Sequence, residues 1–446
     1  MSIDLPEEVR TALGCLRGNH HQAYVVGGCV RDLLLGRTPG DWDITTSAQP
    51  HEMKRCFADY PVSETGLRHG TLTVVIGSMP LEITTFRIDG SYTDHRRPDS
   101  VRFTASLRED LGRRDFTVNA MAYSEETGLQ DFFGGTEDLK RGILRCVGEP
   151  RLRLSEDALR ILRAVRFASV LGFRLHPETE TAVHHLKKLL AGIAPERISK
   201  ELDKLLLGDD APQVIEAYAD VLSVFLPELR TLAGLEQHHP YHDLDALVHT
   251  AKSVGAAPKD RVIRLVMLFH DIAKPACYTV DDQGTGHFYN HAALGAEMAA
   301  SILKRLRYDR KTSDRVVRLV RYHDVRIPCD TRAVRRWLNR LREEDFRALL
   351  AVRRADILAQ APSCQRERLA ALSKLELLLQ EVLERQLCFS LQDLSIGGGE
   401  LIDAGMKPGP EIGKVLQGLL ALVLAEQLPN EPAALLAAAK EMSKKE

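Results

Sequence analysis

The amino-acid sequence predicts an α+β protein: an α/β head with a mixed sheet over residues 1–150, followed by helical modules. Two observations carry this. Short apolar or alternating runs, separated by Gly, Pro and polar breaks, cluster before residue 150. Beyond it that signal fades, and long segments of helical periodicity take over. A third observation concerns scale, since 446 residues exceed one ordinary core and imply several domains.

In chain order, strands are expected at Ala23–Val26, Trp42–Thr45, Thr71–Ile76 and Leu81–Phe86. Helices are expected at Ser155–Leu171 and Glu178–Leu190. A His/Pro-rich piece, EQHHPYHD, breaks the pattern near 235–243, and SIGGG breaks it again near 388–399. Modules are therefore expected at 1–150, 151–234, 235–388 and 389–446, with no internal repeat.

Hydrophobic residues make up 44% and charged residues 27%, the balance of a soluble globular chain. No apolar run approaches the roughly 20 residues needed to span a bilayer. The start, MSIDLPEEVR, has acidic residues and no apolar stretch, unlike a signal peptide. A cytoplasmic protein with no membrane partner is expected. The eight cysteines are scattered without a CxxC pair, which reads as reduced thiols, not a zinc ribbon or disulfide framework. Cys29 reads as a small packing residue. With a net charge of −2, any nucleic-acid footprint must be local. The basic runs Lys304–Arg307 with Arg310-Lys311, and Arg332–Arg342, are candidates that read equally well as solvated helix faces.

The stretch Tyr24–Gly36 reads as an apolar strand, a Gly-Gly turn and a helix start. Gly27 and Gly28 let backbone N–H groups approach phosphate oxygens, and Arg31 on the first helical turn can reach the same group. Gly40-Asp-Trp-Asp-Ile-Thr45 follows. Residues two apart in a strand share a face, so Asp41 and Asp43 present paired carboxylates suited to a hard cation such as Mg²⁺. Two such ions can activate an attacking hydroxyl and stabilise a leaving pyrophosphate. Either motif alone is weak; a phosphate cradle and a metal pair arriving together are much stronger.

On these residues the chain resembles the nucleotidyltransferase superfamily, and specifically the class II tRNA nucleotidyltransferase and bacterial poly(A) polymerase family, over essentially its whole length. The resemblance implies a nucleotidyltransferase-type head, a helical neck, an HD body and a helical tail that helps hold the tRNA. Five further segments carry it. Leu81–Arg87 offers Glu82 as a third metal carboxylate. Asp94–Asp99 is similar to the family's loop for switching to ATP. Arg113–Ala122 implies ribose contacts through Arg114, Asp115 and Asn119, with an Arg114–Asp115 structural ion pair as the alternative. Glu156–Arg160 is the base-reading segment. On a helix, Asp157 and Arg160 stand at i and i+3, and the resemblance implies that they accept C or A. Arg163 and Arg166 continue that stripe, or belong to a plain amphipathic helix. Pro195–Leu202 implies a structural brace.

A second constellation comprises His249, His270-Asp271, His291 and His323-Asp324, with Lys274 one turn after the HD pair. It resembles the HD phosphohydrolase domain, in which imidazole and carboxylate hold a second divalent metal that activates water on a phosphoester. The alternative is a degenerate HD scaffold. His238, His239, His242 and His287 carry no assigned role. In the tail, a Pro-Gly-Pro turn opens a helix expected over Lys414–Leu428, and serves either a phosphate contact or an ordinary connection.

The function so implied is addition of C, C and A to a tRNA 3′ end from CTP and ATP, with Asp41 and Asp43 catalytic. Gly28, Arg31, Arg114, Asp115, Asn119, Asp157, Arg160, Arg163 and Arg166 would bind the nucleotide. The loop at Asp94–Asp99 argues against CC-only addition, while A-only addition and poly(A) polymerase stay open. An HD phosphohydrolase with an RNA-binding head, and a tRNA-binding chaperone, are the alternatives of other classes. Oligomeric state is left open.

Overall fold

The protein is described from a computed structural model covering residues 4–90, 92, 100–238, 241 and 243–443. The loop segment Asp94–Asp99 and the histidines His239 and His242 lie outside the described residues. Two compact units emerge, Met1–Arg230 and Thr231–Glu446.

The first unit is built on a seven-stranded sheet. Its strands are β1 (Ala23–Val26), β2 (Asp43–Thr46), β3 (Val62–Ser63), β4 (Thr71–Ile76), β5 (Met79–Thr85), β8 (Met121–Ser124) and β9 (Gly128–Asp131), while β6 (Arg87–Asp89) and β7 (Val101–Phe103) pair as a separate hairpin. The spatial order is β3-β4-β5-β2-β1-β8-β9. β2 runs parallel to β5 and the other neighbours are antiparallel, so the sheet is mixed. All four residues of β1 are buried, as befits a central strand, whereas β4 alternates between buried and half-buried positions. Phe57, Phe86 and Phe116 are fully buried and anchor the core, each contributing about 1.5–3 kcal/mol by burial.

The neck departs from expectation at one informative point. The apolar periodicity of 155–171 reads as one helix, but the chain forms two, Pro150–Glu156 and Leu159–Leu171. Asp157 separates them in an extended conformation (φ −127°, ψ 104°). Its Oδ1 accepts the Leu159 N–H at 3.1 Å, a local side-chain bond that competes with helix continuation. The helix expected over 178–190 ends sooner, at Leu186, and passes into a 3₁₀ stretch over Lys187–Gly192. The helix Pro195–Leu206 packs against Leu159–Leu171 and braces it.

The second unit is helical, with one short antiparallel hairpin, Tyr278–Val280 with Gly286–Phe288, that the sequence reading did not anticipate. Arg342 (φ +63°) interrupts the helical stretch Thr331–Leu358. The last helices, Pro410–Leu424 and Pro432–Met442, close a small core around Leu401, Leu419 and Leu435. The basic run at 332–342 is partly structural: Arg335 is buried and donates to the Cys388 and Val423 carbonyls. No helix among the described residues is long and apolar enough to cross a membrane.

Candidate active site

β1 leaves the sheet through Gly27, at φ +84° and ψ −129°, a conformation that only glycine adopts readily. A Cβ there would lie 2.9 Å from Arg114 Nη1, so the missing side chain is what admits the guanidinium. Gly28 opens the helix Gly28–Leu34, which carries Arg31. Arg31 Nη1 donates to Asn119 Oδ1 at 2.7 Å, and Nε and Nη2 donate to Asp32 Oδ1. Asn119 Nδ2 in turn donates to Asp115 Oδ1 at 3.0 Å. Arg163 reaches the other carboxylate oxygen of Asp115 through Nε at 2.9 Å and Nη2 at 2.6 Å. Burial opposes ionisation of Asp115, but the Arg163 charge and the Asn119 hydrogen bond outweigh it and hold the carboxyl well below its ordinary range.

Asp115 thus pairs with Arg163, and Arg114 has a different partner, the fully buried Asp110 at 3.8 Å. Burial lowers the Arg114 pKa, with Asp110 opposing. The alternative weighed for these residues, an Arg114–Asp115 ion pair, gives way to two separate ion pairs. Asp110 also accepts from Thr45 and Arg113, tying the ribose-side segment to the strand that carries Asp43.

Asp43 is the first residue of β2 and stands in register with Glu82 on β5. Burial, joined by the neighbouring charges of Asp41 and Glu82 and opposed by Arg114, pushes its carboxyl up to about 6. Asp41 is exposed just ahead of the strand, and Trp42 between them turns into the core. An all-oxygen donor set, with one carboxylate whose charge is disfavoured first by burial and then by its like-charged neighbours, fits a hard divalent cation. These carboxylates are spread more loosely than the two tight ligand groups described below. Cys29 is buried, and burial raises its thiol to about 11, which suits packing and not nucleophilic chemistry.

The segment expected to read the base is arranged differently from that expectation. Because Asp157 lies in the break between two helices, it does not share a helix face with Arg160. Asp157 Oδ2 accepts from Arg197 Nη2 at 3.0 Å, on the bracing helix. Arg160 pairs with Glu156 at 2.5 Å and donates to the Arg153 and Arg113 carbonyls. Arg166 pairs with Glu201 at 2.8 Å. Burial, with Glu201 opposing and Arg163 and Arg31 adding like charge, pushes Arg166 down to about 10. Glu156 and Asp110 stand four residues before Arg160 and Arg114, a spacing that helical i,i+4 pairing could have flagged, whereas no local rule links Arg197 to Asp157 or Glu201 to Arg166.

In the second unit, five of the six anticipated residues converge. His249, His270 and Asp271 form one group with ligand atoms within 4.8 Å of each other; Asp271, His291 and His323 form another. Each imidazole turns Nδ1 to a backbone carbonyl: Ala359 for His249 (3.2 Å), Met267 for His270 (2.7 Å), Phe288 for His291 (2.8 Å) and Val320 for His323 (2.7 Å). A carbonyl only accepts, so each Nδ1 carries a proton and each Nε2 turns inward, offering a lone pair whenever its ring is neutral. The Nε2 atoms meet in pairs, His249 with His270 and His291 with His323, each at 3.2 Å.

Asp271 lies between the pairs. Its Oδ2 is 3.4 and 3.2 Å from the first pair, and its Oδ1 is 3.6 and 3.8 Å from the second. Asp356, on the Thr331–Leu358 segment, joins the first pair at 3.1 Å from His249 Nε2; no motif in the sequence marked it. Burial opposes charge on His270, but Asp271 and Asp356 raise it to about 10. Burial, with the charges of His270 and His291, lowers His323 to about 3. Asp324 lines the adjoining cavity of about 580 Å³, as do Lys274, Arg321, Arg368 and Tyr289. His238 pairs with the Tyr278 hydroxyl and His287 with Asp281, away from the cluster.

Comparison with known proteins decides the family. Residues 23–145 match a family described as the poly A polymerase head domain. Residues 172–232 match a probable RNA and SrmB-binding site of polymerase A, and 287–439 match a putative tRNA nucleotidyltransferase domain 2. The CCA-adding enzyme of Lactobacillus helveticus is 34% identical over 426 residues, covering 93% of this chain and 92% of that one. The chain belongs to the CCA-adding enzymes.

It is accordingly a nucleotidyltransferase. The CCA-adding enzyme of Geobacillus stearothermophilus is 49% identical over 223 residues, half of this chain and 54% of that one. Among solved structures, a Bacillus stearothermophilus CCA-adding enzyme in complex with CTP is similar at a TM-score of 0.71 and 30% identity, covering 99% of both chains. A Thermotoga maritima CCA-adding enzyme complexed with tRNA shares the fold at a TM-score of 0.58, covering 97% of this chain and 94% of that one.

Proposed function

We propose that this chain adds C, C and A in turn to the 3′ end of tRNA, using CTP and ATP and no nucleic-acid template. The terminal 3′-hydroxyl attacks the α-phosphate and pyrophosphate leaves. The observation that carries the reading is Asp43 in register with Glu82, with Arg114 beside both Asp43 and Gly27.

Asp41 and Asp43, with Glu82, would hold Mg²⁺, which when bound polarises the phosphate and stabilises the attacking oxygen. The remaining work falls to this chain's own side chains. Gly28 and Arg31 bind the triphosphate, and Arg31 is already oriented by Asn119 and Asp32. Arg114, Asp115 and Asn119 hold the ribose side. Arg160, fixed by Glu156, and Asp157, fixed by Arg197, present donors and acceptors to the base edge. Arg163 and Arg166 complete the positive wall. Groups locked by second partners reorganise little when the nucleotide arrives, which favours charge stabilisation during transfer.

The deciding experiment supplies tRNA lacking three, two or one terminal residues with single nucleotides. Addition of C, C and then A is expected. Failure to add C to a tRNA ending at the discriminator base would overturn the reading in favour of A-only addition. A long run of A would favour poly(A) polymerase.

A second reading, an HD-type metal-dependent phosphoesterase in the second unit, is favoured by the four carbonyl-anchored imidazoles around Asp271. His249, His270, Asp271 and Asp356 supply one nitrogen-oxygen ligand set, and His291, His323 and the other Asp271 oxygen a second, with Asp324 at the edge. Asp43→Ala should abolish nucleotide addition and spare hydrolysis of a p-nitrophenyl phosphoester, with His270→Ala doing the reverse. Wild-type protein inert towards such esters across Mg²⁺, Mn²⁺ and Ni²⁺ would reduce this site to a scaffold. The eight cysteines form no disulfide, which supports a cytoplasmic setting.

A further inference from the structure

The helix Leu159–Leu171 carries Phe167, whose ring is 4% exposed and packs edge-on against Phe116 at 5.8 Å. Three guanidiniums surround that ring. Arg166 Cζ lies 3.7 Å from its centroid, Arg31 Cζ 5.1 Å and Arg163 Cζ 5.4 Å. Arg31 comes from the glycine turn beside β1, whereas Arg163 and Arg166 come from the neck helix. Phe167 therefore sits where two separately built halves of the nucleotide wall meet.

Gathering three positive groups in a half-buried place is unfavourable unless something holds them there. Each has one carboxylate partner: Asp32 for Arg31, Asp115 for Arg163 and Glu201 for Arg166. Those carboxylates stand on three different elements and share no atom. The aromatic ring is the neighbour common to all three cations, and its electron-rich faces attract each of them. An aliphatic side chain of equal volume would fill the space and supply no such attraction.

We propose that Phe167 is a positioning residue for nucleotide transfer, gathering Arg31, Arg163 and Arg166 into one cluster that receives the incoming nucleotide. This rests on the reading of those arginines as nucleotide ligands. Because the cluster addresses charge and not the base edge, both CTP and ATP depend on it.

The test measures KM and kcat for CTP and ATP with full-length Phe167→Leu, Phe167→Met and Phe167→Tyr, well below each variant's melting temperature. Leu and Met should raise KM for both nucleotides by about tenfold with kcat within about twofold, while Tyr stays near the wild-type KM. Should Leu fail to fold, Met, an unbranched gap-filler without a π face, decides. Unchanged KM in the aliphatic variant, an increase for one nucleotide alone, a loss confined to kcat, or Tyr as impaired as Met overturns the proposal. Arg31→Ala and Arg166→Ala are measured alongside. Raised KM in these with a normal Phe167→Met defeats the role of Phe167 alone; unchanged KM in all of them defeats the underlying reading of the arginines.

Discussion

Asp115 gathers more of the side chains proposed to bind the nucleotide than any other residue. It accepts from Asn119, from Arg163 and from the Phe116 N–H, and through Asn119 it fixes Arg31. Asp115→Asn should lower stability by about 1–3 kcal/mol at pH 7, because it removes the charged partner of Arg163, whose side chain is about a third exposed, and disturbs the bond to Asn119. The sign follows from its depressed pKa. The stabilisation is fully present above the carboxyl's unfolded value, near 4, and is lost progressively as pH falls from there through the much lower folded value. Denaturant melts of wild type and variant should therefore keep a constant gap from pH 7 to about pH 5 and begin to narrow below about pH 4, with part of the gap still open at pH 3. A gap that stays constant across the whole range would mean that Asp115 acts through shape alone.

At the scale of elements, the turn between β1 and the helix Gly28–Leu34 is the most constrained piece of backbone in the site. Gly27→Ala places a methyl 2.9 Å from Arg114 Nη1 at a φ of +84°. Strain of about 1–3 kcal/mol is expected, together with a raised KM for both nucleotides. Thermal melting and steady-state kinetics check the two effects separately, and an unchanged KM would show that Arg114 does not need that space.

β1 and β4 could be placed to the residue, because each presents a plain apolar or alternating run between turn signals. The glycine turn and the Asp41–Asp43 pair were legible as well, since short-range spacing carries their chemistry. The neck break was not. Apolar periodicity runs through 155–171 undisturbed, while the break depends on one aspartate bonding its own downstream backbone. That competition leaves no trace in a hydrophobic pattern, and the helix-face argument for Asp157 and Arg160 failed with it. Asp356 escaped for a different reason. It lies on one face of a long helical stretch, far in sequence from every histidine it approaches, and nothing local distinguishes it from a solvated aspartate.

Over the whole molecule, two places among the described residues present candidate ligands for divalent ions, and their chemistry differs. The head offers carboxylate oxygens, while the second unit offers imidazole nitrogens with carboxylates. Borderline ions such as Ni²⁺ or Zn²⁺ should therefore raise the melting temperature through the second unit. At a hundred times the dissociation constant the gain is about 2.7 kcal/mol for the unit that binds. Asp43→Ala should keep that gain and His270→Ala should lose it. If both variants keep it, the cluster at Asp271 holds no ion under those conditions.

The order of strands in the sheet sets a timetable for synthesis. β2 and β5 can pair once residue 85 has left the ribosome, bringing Asp43 and Glu82 side by side. β1 can join β2 early, but its other edge must wait for β8, and Gly27 and Arg31 must wait for Arg114 and Asn119, which come more than eighty residues after them. The acidic end of the site is therefore assembled early and the cationic wall late. A nascent chain halted between the two would hold a half-built sheet with an open edge, exposed to wrong pairing until β8 arrives.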